Sequence, residues 1–217
     1  MKNLKQLLER LEYECVQGSL DKEITDLVYD SRKAATDSLF VCVKGTTVDG
    51  HGFAADVVQK GATVLVVSED VNVPETVTVI KVADTRYALA LLSAAWFDYP
   101  AEQLKVIGIT GTKGKTTTTY MVKSILEGAG YKVGLIGTIE AIIGDKVIPS
   151  ANTTPESYLI QKYFREMADI GCDCCVMEVS SQGLMMHRTA GFTFEMGIFT
   201  NIEPDHIGQN EHKEISD

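Results

Sequence analysis

The chain has 217 residues, 45% of them hydrophobic, with 30 acidic against 20 basic side chains and a formal net charge of −10. That balance suits one large or two small globular domains, and no window is long or apolar enough to span a bilayer. It also argues against a nucleic-acid partner, whose binding draws on clustered Lys and Arg, so any anionic ligand must be met by local positive charge.

In chain order, Met1 to Arg10 reads as an amphipathic helix, because charges interrupt each apolar run, and it does not resemble a signal peptide. A cytoplasmic location is therefore the default expectation. Strands are predicted at Ile24 to Tyr29 and Leu39 to Val43, followed by a polar loop from Gly45 to Gly52. A helix from about Phe53 to Lys60 should end at Gly61, with strands at Thr63 to Val67 and Val77 to Val82. Asp84 is placed to cap a helix through Phe97, with Tyr87, Leu91, Leu92 and Trp96 on one face. Asp98-Tyr99-Pro100-Ala101-Glu102 stops that helix and marks a boundary, giving domains 1–100 and 101–217.

The second part opens with the β-branched run at Val106, Ile107 and Ile109 and passes into Gly111-Thr112-Lys113-Gly114-Lys115-Thr116-Thr117-Thr118. Two glycines let backbone N–H groups turn toward an anion, and a helical pattern starting at Tyr120 follows. The general phosphate-loop pattern would put its first glycine where Ile109 stands, so this is a shortened variant. Lys115 is expected to reach the β- and γ-phosphates of ATP, and Thr116 to bind Mg²⁺.

Beyond it, Gly130 terminates the helix, Tyr131 to Leu135 forms a strand, and Ile139–Ile143 and Lys146–Ile148 flank a Gly144-Asp145 hairpin turn. In Asn152-Thr153-Thr154-Pro155, Thr154 reads as the N-cap of a helix to Ala168, with Pro155 at its first position. Cys174 to Glu178 and Glu195 to Thr200 are strands. Five cysteines, an odd number, make no disulfide framework, and Cys172, Cys174 and Cys175 read as buried strand thiols rather than zinc ligands. The fold class is α/β, a small N-terminal α/β domain followed by the first part of a P-loop parallel-sheet ATPase domain, with ligands at the strand C-terminal ends. Glu178, at the end of a buried strand, stands where such a fold commonly places a Mg²⁺-directed carboxylate. For Arg188 the spacing leaves open a surface charge or a bidentate carboxylate clamp.

Six ordered motifs resemble the Mur ligases of peptidoglycan synthesis, most closely the MurE type that adds the third amino acid. They are Tyr29-Asp30-Ser31-Arg32, Leu39-Phe40-Val41 through Asp49-Gly50-His51, Ile109 to Thr118, Asn152 to Pro155, Met177-Glu178-Val179-Ser180-Ser181, and Thr200-Asn201 with Asp205-His206. The resemblance implies that Tyr29, Ser31, Thr46, Thr47 and Val48 meet the uridine-diphosphate part of the substrate. It implies that Gly111, Thr112, Lys113, Gly114, Lys115, Thr116 and Thr117 hold ATP, and that Asn152, Thr153, Thr154, Ser180 and Arg188 contact the muramoyl-peptide. Thr116, Glu178 and His206 would serve Mg²⁺, with Lys115, Glu178 and His206 as the catalytic set.

The implied reaction joins a free amino acid to UDP-N-acetylmuramoyl-dipeptide through an acyl phosphate, with no nucleophile from the protein. Lys113 stands where the family usually has asparagine, Gln182 where it has histidine, and Met186 where glutamine is frequent. The family's carbamylated lysine and C-terminal domain would lie beyond Asp217, so the chain is expected to be a fragment that partners its own missing C-terminal domain. A non-catalytic UDP-sugar or ATP-binding module and a P-loop small-molecule kinase are the competing readings.

Overall fold

The computed structural model describes residues 1–45 and 48–203. It comprises two compact units, Met1–Trp96 and Phe97–Asp217. In the first, chain order runs β1 (Lys2–Asn3), α1 (Leu4–Leu7), β2 (Glu14–Gln17), β3 (Glu23–Ile24), β4 (Asp26–Val28), β5 (Ser38–Val41), α2 (Ala54–Gln59), β6 (Val64–Val67), β7 (Thr78–Lys81) and α3 (Thr85–Trp96). Five strands form one sheet in the order β2-β7-β6-β5-β4, parallel from β7 to β4 with β2 antiparallel at the edge. Every residue of β5 and β6 is buried, as expected of parallel strands covered on both faces. On one face Ala54 and Val57 of α2 pack with Val28, Phe40, Leu65 and Val67.

Three local readings of this unit are corrected. Residues 1–10 do not make one helix: Lys2–Asn3 pairs with Glu23–Ile24, and only Leu4–Leu7 is helical, capped by Asn3 Oδ1 accepting from Lys5 N. The strand expected at Ile24 to Tyr29 is accordingly split between two sheets. Asp84 does cap α3, accepting from the N–H of Arg86 and Tyr87. Yet Tyr87 is exposed, and the buried positions are Thr85, Ala88, Leu89, Ala90, Leu92, Ser93, Ala94 and Ala95. The helix is covered both by α1 and by the strands β4 to β6, so its buried arc is wide and holds small residues beside Leu89 and Leu92.

The second unit contains β8 (Lys105–Thr110), α4 (Lys115–Gly128), β9 (Val133–Ile136), β10 (Glu140–Ile143), β11 (Lys146–Pro149), α5 (Ser157–Asp169), β12 (Cys174–Glu178), α6 (Ser181–Met185) and β13 (Met196–Phe199). The sheet order is β11-β10-β9-β12-β8-β13. β9, β12, β8 and β13 are parallel, and the β10–β11 hairpin, whose own turn holds Gly144 at φ 59°, pairs antiparallel with β9 through β10. Both sheets are therefore mixed, where a parallel sheet was expected, because each carries an antiparallel edge. Helix α5 buries Ile160, Phe164 and Met167 with Cys175 and Met177 on one face of the sheet. On the other, Val122 and Leu126 of α4 cover Ile107, Ile109, Cys174 and Val176. Cys172, Cys174 and Cys175 are thus core thiols. Among the described residues no helix is long and apolar enough to cross a membrane.

Candidate nucleotide and metal site

The carboxyl ends of β8 and β12 lie side by side, with Ile109 paired to Glu178, and the chain leaves both strands there. From β8 it turns through Gly111 at φ 131° and Gly114 at φ 83°, backbone that L side chains rarely adopt. A Cβ at Gly111 would stand 2.2 Å from Thr200 Oγ1. Helix α4 then begins at Lys115, a turn earlier than the apolar pattern suggested, with Gly114 as its N-cap and no side-chain cap. The first N–H groups of such a helix have no intrahelical acceptor and carry the positive end of its dipole. An anion fits there.

The loop is fastened by the chain beyond β13. Thr112 N donates to Asn201 O at 3.1 Å and Lys113 N to Asn201 Oδ1 at 3.0 Å. In return Asn201 Nδ2 and Thr200 Oγ1 donate to Lys113 O at 3.0 and 2.8 Å. Thr112 Oγ1 accepts from Glu203 N, and the Lys113 ammonium pairs with the Glu203 carboxylate. Lys115 Nζ folds back across the loop, donating to Gly111 O at 2.7 Å and Thr112 O at 3.2 Å. Thr117 is exposed.

Glu178 is 1% exposed. Its Oε2 accepts from Thr116 Oγ1 at 2.9 Å and Thr138 Oγ1 at 3.0 Å, and its Oε1 from Thr138 N at 2.9 Å. No cationic side chain among the described residues pairs with it. A buried carboxylate ringed by hydroxyls and an amide, with no counter-charge, is a hard-oxygen donor set that fits Mg²⁺. Nearby, Tyr120 donates to Glu140 Oε1 at 2.7 Å; burial, that hydrogen bond and the charges of Glu140 and Glu178 push its phenol up to about 12, so it stays protonated.

Thr154 does not cap α5, whose N-cap position is Glu156 with no side-chain cap. Its hydroxyl is fully buried, donating to Glu178 O at 3.1 Å and accepting from Ser180 N at 2.9 Å, so it ties this segment to the end of β12. Ser180 caps α6 through Gly183 N. Arg188 resolves as a clamp on its own chain, with Nε on Glu156 Oε1 at 2.9 Å and NH1 on Thr154 O at 3.0 Å. Asn152 is exposed and Thr153 half-buried, with Thr153 Oγ1 3.0 Å from Thr138 Oγ1.

In the first unit Tyr29 and Ser31 are half-buried and Val48 is exposed, its carbonyl accepting from Gly45 N at 2.9 Å. Lys60 Nζ donates to Ser31 O. Arg32 forks onto Asp30, and those hydrogen bonds hold the Asp30 carboxyl down at about 2. His51 sets the end of the polar loop: its Nδ1 lies 2.6 Å from Asp49 Oδ1 while Nε2 accepts from Ser68 N at 3.0 Å. Thr46, Thr47 and His206 lie outside the described residues. The expectations thus bring Thr116, Glu178, Thr153, Thr154 and Ser180 into one hydrogen-bonded network. They miss Gly137 and Thr138, whose one signal was their place directly after the apolar strand β9.

Residues 109–217, half of the chain, match the model of the Mur ligase middle domain, and residues 23–97 that of the Mur ligase family catalytic domain. The chain is 51% identical over 204 residues to the UDP-N-acetylmuramoyl-L-alanyl-D-glutamate–2,6-diaminopimelate ligase of Clostridium perfringens, covering 94% of this chain and 42% of that protein. To the ligase of that name from Clostridioides difficile it is 43% identical, covering 99% of this chain and 44% of the relative. The chain therefore spans less than half the length of these curated relatives. A solved structure of a ligase with the same name superposes with TM-score 0.79 at 20% identity, over 96% of this chain and 42% of that one, a likeness of fold. MurF from Acinetobacter baumannii superposes with TM-score 0.66 at 25% identity, over 99% of this chain and 43% of that one.

Proposed function

The chain belongs to the Mur ligase family, and from that premise we propose that it is the ATP-binding and UDP-substrate-binding part of an ATP-dependent diaminopimelate ligase of peptidoglycan synthesis. The substrates would be UDP-N-acetylmuramoyl-L-alanyl-D-glutamate and free diaminopimelate, the compounds in the names of the relatives above. Members of the family generally use ATP and Mg²⁺. The observation that carries the reading is the Thr116 hydroxyl on the buried Glu178 carboxylate, directly beside the anion-ready start of α4.

In this reading the loop from Gly111 to Thr117 is a variant phosphate loop within a P-loop-type sheet. With its proton committed to Glu178, the Thr116 hydroxyl keeps its lone pairs for a cation, and Glu178 accepts without itself needing to face the phosphates. Mg²⁺, when bound, supplies charge neutralisation on the phosphate oxygens. Lys115 exchanges the carbonyls of Gly111 and Thr112 for phosphate oxygens, a change from neutral to anionic acceptors that favours the loaded state. The D-glutamyl carboxylate of the dipeptide attacks the γ-phosphorus, ADP leaves, and the amine of diaminopimelate then displaces phosphate from the acyl phosphate. Thr153 and Ser180 lie on the side of the site where that carboxylate would be oriented, and Arg188 braces the segment by gripping Glu156. Tyr29, Ser31, Thr46, Thr47 and Val48 remain the proposed uridine-diphosphate contacts, and Asn152 and His206 keep their proposed roles, while the buried Thr154 serves the peptide side by holding its segment to the end of β12.

The test is Lys115→Ala in the intact protein, measured as ADP release dependent on both dipeptide substrate and diaminopimelate. Loss of the ammonium should lower turnover by about 10²–10³-fold, the scale of removing one electrostatic contact to a reacting group. Full turnover in a folded Lys115→Ala protein would sink the assignment.

A further inference from the structure

We propose that the Gly137-Thr138 turn at the end of β9 is a positioning element for the metal-directed carboxylate, and that Thr138 links that carboxylate to the peptide-side segment through Thr153. The proposal rests on the reading of Glu178 and Thr116 given above. Its basis is the geometry of one side chain. Thr138 grips Glu178 twice, with its amide on Oε1 at 2.9 Å and its hydroxyl on Oε2 at 3.0 Å. These contacts fix both the rotation and the tilt of the carboxylate plane, which the single contact from Thr116 could not do. Gly137 closes the same side: a Cβ there would stand 2.5 Å from Glu178 Oε1, so no larger residue leaves the carboxylate where it is.

A carboxylate has about four lone-pair positions. Thr116 and Thr138 together take three of them, leaving a single direction, on Oε1, in which Glu178 can still accept from a hydrated cation or a water. Thr138 thereby selects that direction. Its hydroxyl stands 3.0 Å from both Glu178 Oε2 and Thr153 Oγ1, so the one Thr138 proton is shared between the carboxylate and the peptide-side threonine. The resulting relay, Thr153 to Thr138 to Glu178, runs from the Asn152-Thr153-Thr154 segment to the carboxylate. A displacement of Thr153 by a bound peptide is felt at Glu178 without either residue touching the other.

Outer partners of this kind typically change metal affinity by about 10–100-fold when removed. The experiment is calorimetric titration of ATP binding to the intact protein over a range of Mg²⁺ concentrations and in EDTA. Thr138→Val should raise the Mg²⁺ midpoint by about ten-fold, leave ATP affinity in EDTA unchanged, and keep the wild-type far-UV circular dichroism, since the side chain is exposed. Thr138→Ser should restore the wild-type midpoint, which a merely structural role would not require. Gly137→Ala, pressing on Oε1, should raise the midpoint too and serves in place of any variant that fails to fold. A folded Thr138→Val protein with an unchanged midpoint overturns the proposal and leaves the ligase reading standing. A wild-type protein whose ATP affinity ignores Mg²⁺ overturns both.

Discussion

The hydroxyl of Thr154 joins two backbone groups, donating to the carbonyl of Glu178 and accepting from the amide of Ser180. Its removal leaves a buried N–H and a buried C=O unpaired at the carboxyl end of β12, so Thr154→Val should cost about 1–3 kcal/mol despite being isosteric. Thr154→Ser should recover most of it. Urea unfolding of the three proteins checks this, and equal stabilities would refute the assigned role. The residue also shows why part of the site was hidden in the sequence. A threonine before a proline and an apolar helix has the local signature of an N-cap, but its partners lie 24 and 26 residues away. Thr138 was missed for the same reason, being 40 residues from Glu178. Gly111 and Gly114 were legible because a positive φ is a demand made within the loop itself.

Among the elements, the strands carry the cysteines, and the strands decide their chemistry. Cys174 and Cys175 are neighbours on β12 whose side chains enter opposite cores, Cys174 beneath α4 and Cys175 beneath α5. Burial pushes all three thiols of this cluster up, and burial together with the Asp49 charge pushes Cys42 up to about 12. Only Cys15 is exposed. Reaction of the native protein with a disulfide reagent near pH 8 should therefore modify one thiol quickly and the other four only on unfolding. Fast modification of several would contradict the packing of β12 and β5. Periodicity exposed most of these strands, since four-residue apolar runs between glycine and polar breaks leave little choice. It failed at β2, where all but one residue is exposed and pairing with β7 comes from a distant segment. It failed also at residues 1–10, where pairing with Glu23–Ile24 outcompetes a helix too short to hold itself.

At the scale of the molecule, each unit encloses its own apolar clusters, around Phe40 and Leu65 in the first and around Phe164 and Ile109 in the second. The segment Met1–Trp96 should accordingly fold when expressed alone, with one cooperative urea transition and an m-value of about 1 kcal/mol/M. A broad, non-cooperative transition would show that its sheet depends on the remainder of the chain. The α/β alternation and the Gly144-Asp145 hairpin turn made most of this architecture readable, whereas the antiparallel edge strand β2 was not, because it answers to its single neighbour and not to the repeat. The fastening of Thr112 and Lys113 to Asn201 and Glu203 joins stretches about ninety residues apart. During synthesis that distance becomes time. A nascent chain that has already formed α4 still lacks the strap that holds its glycine turn, so the loop before α4 is completed only once Glu203 has emerged and returned, well after Met1–Trp96 has had the chance to fold.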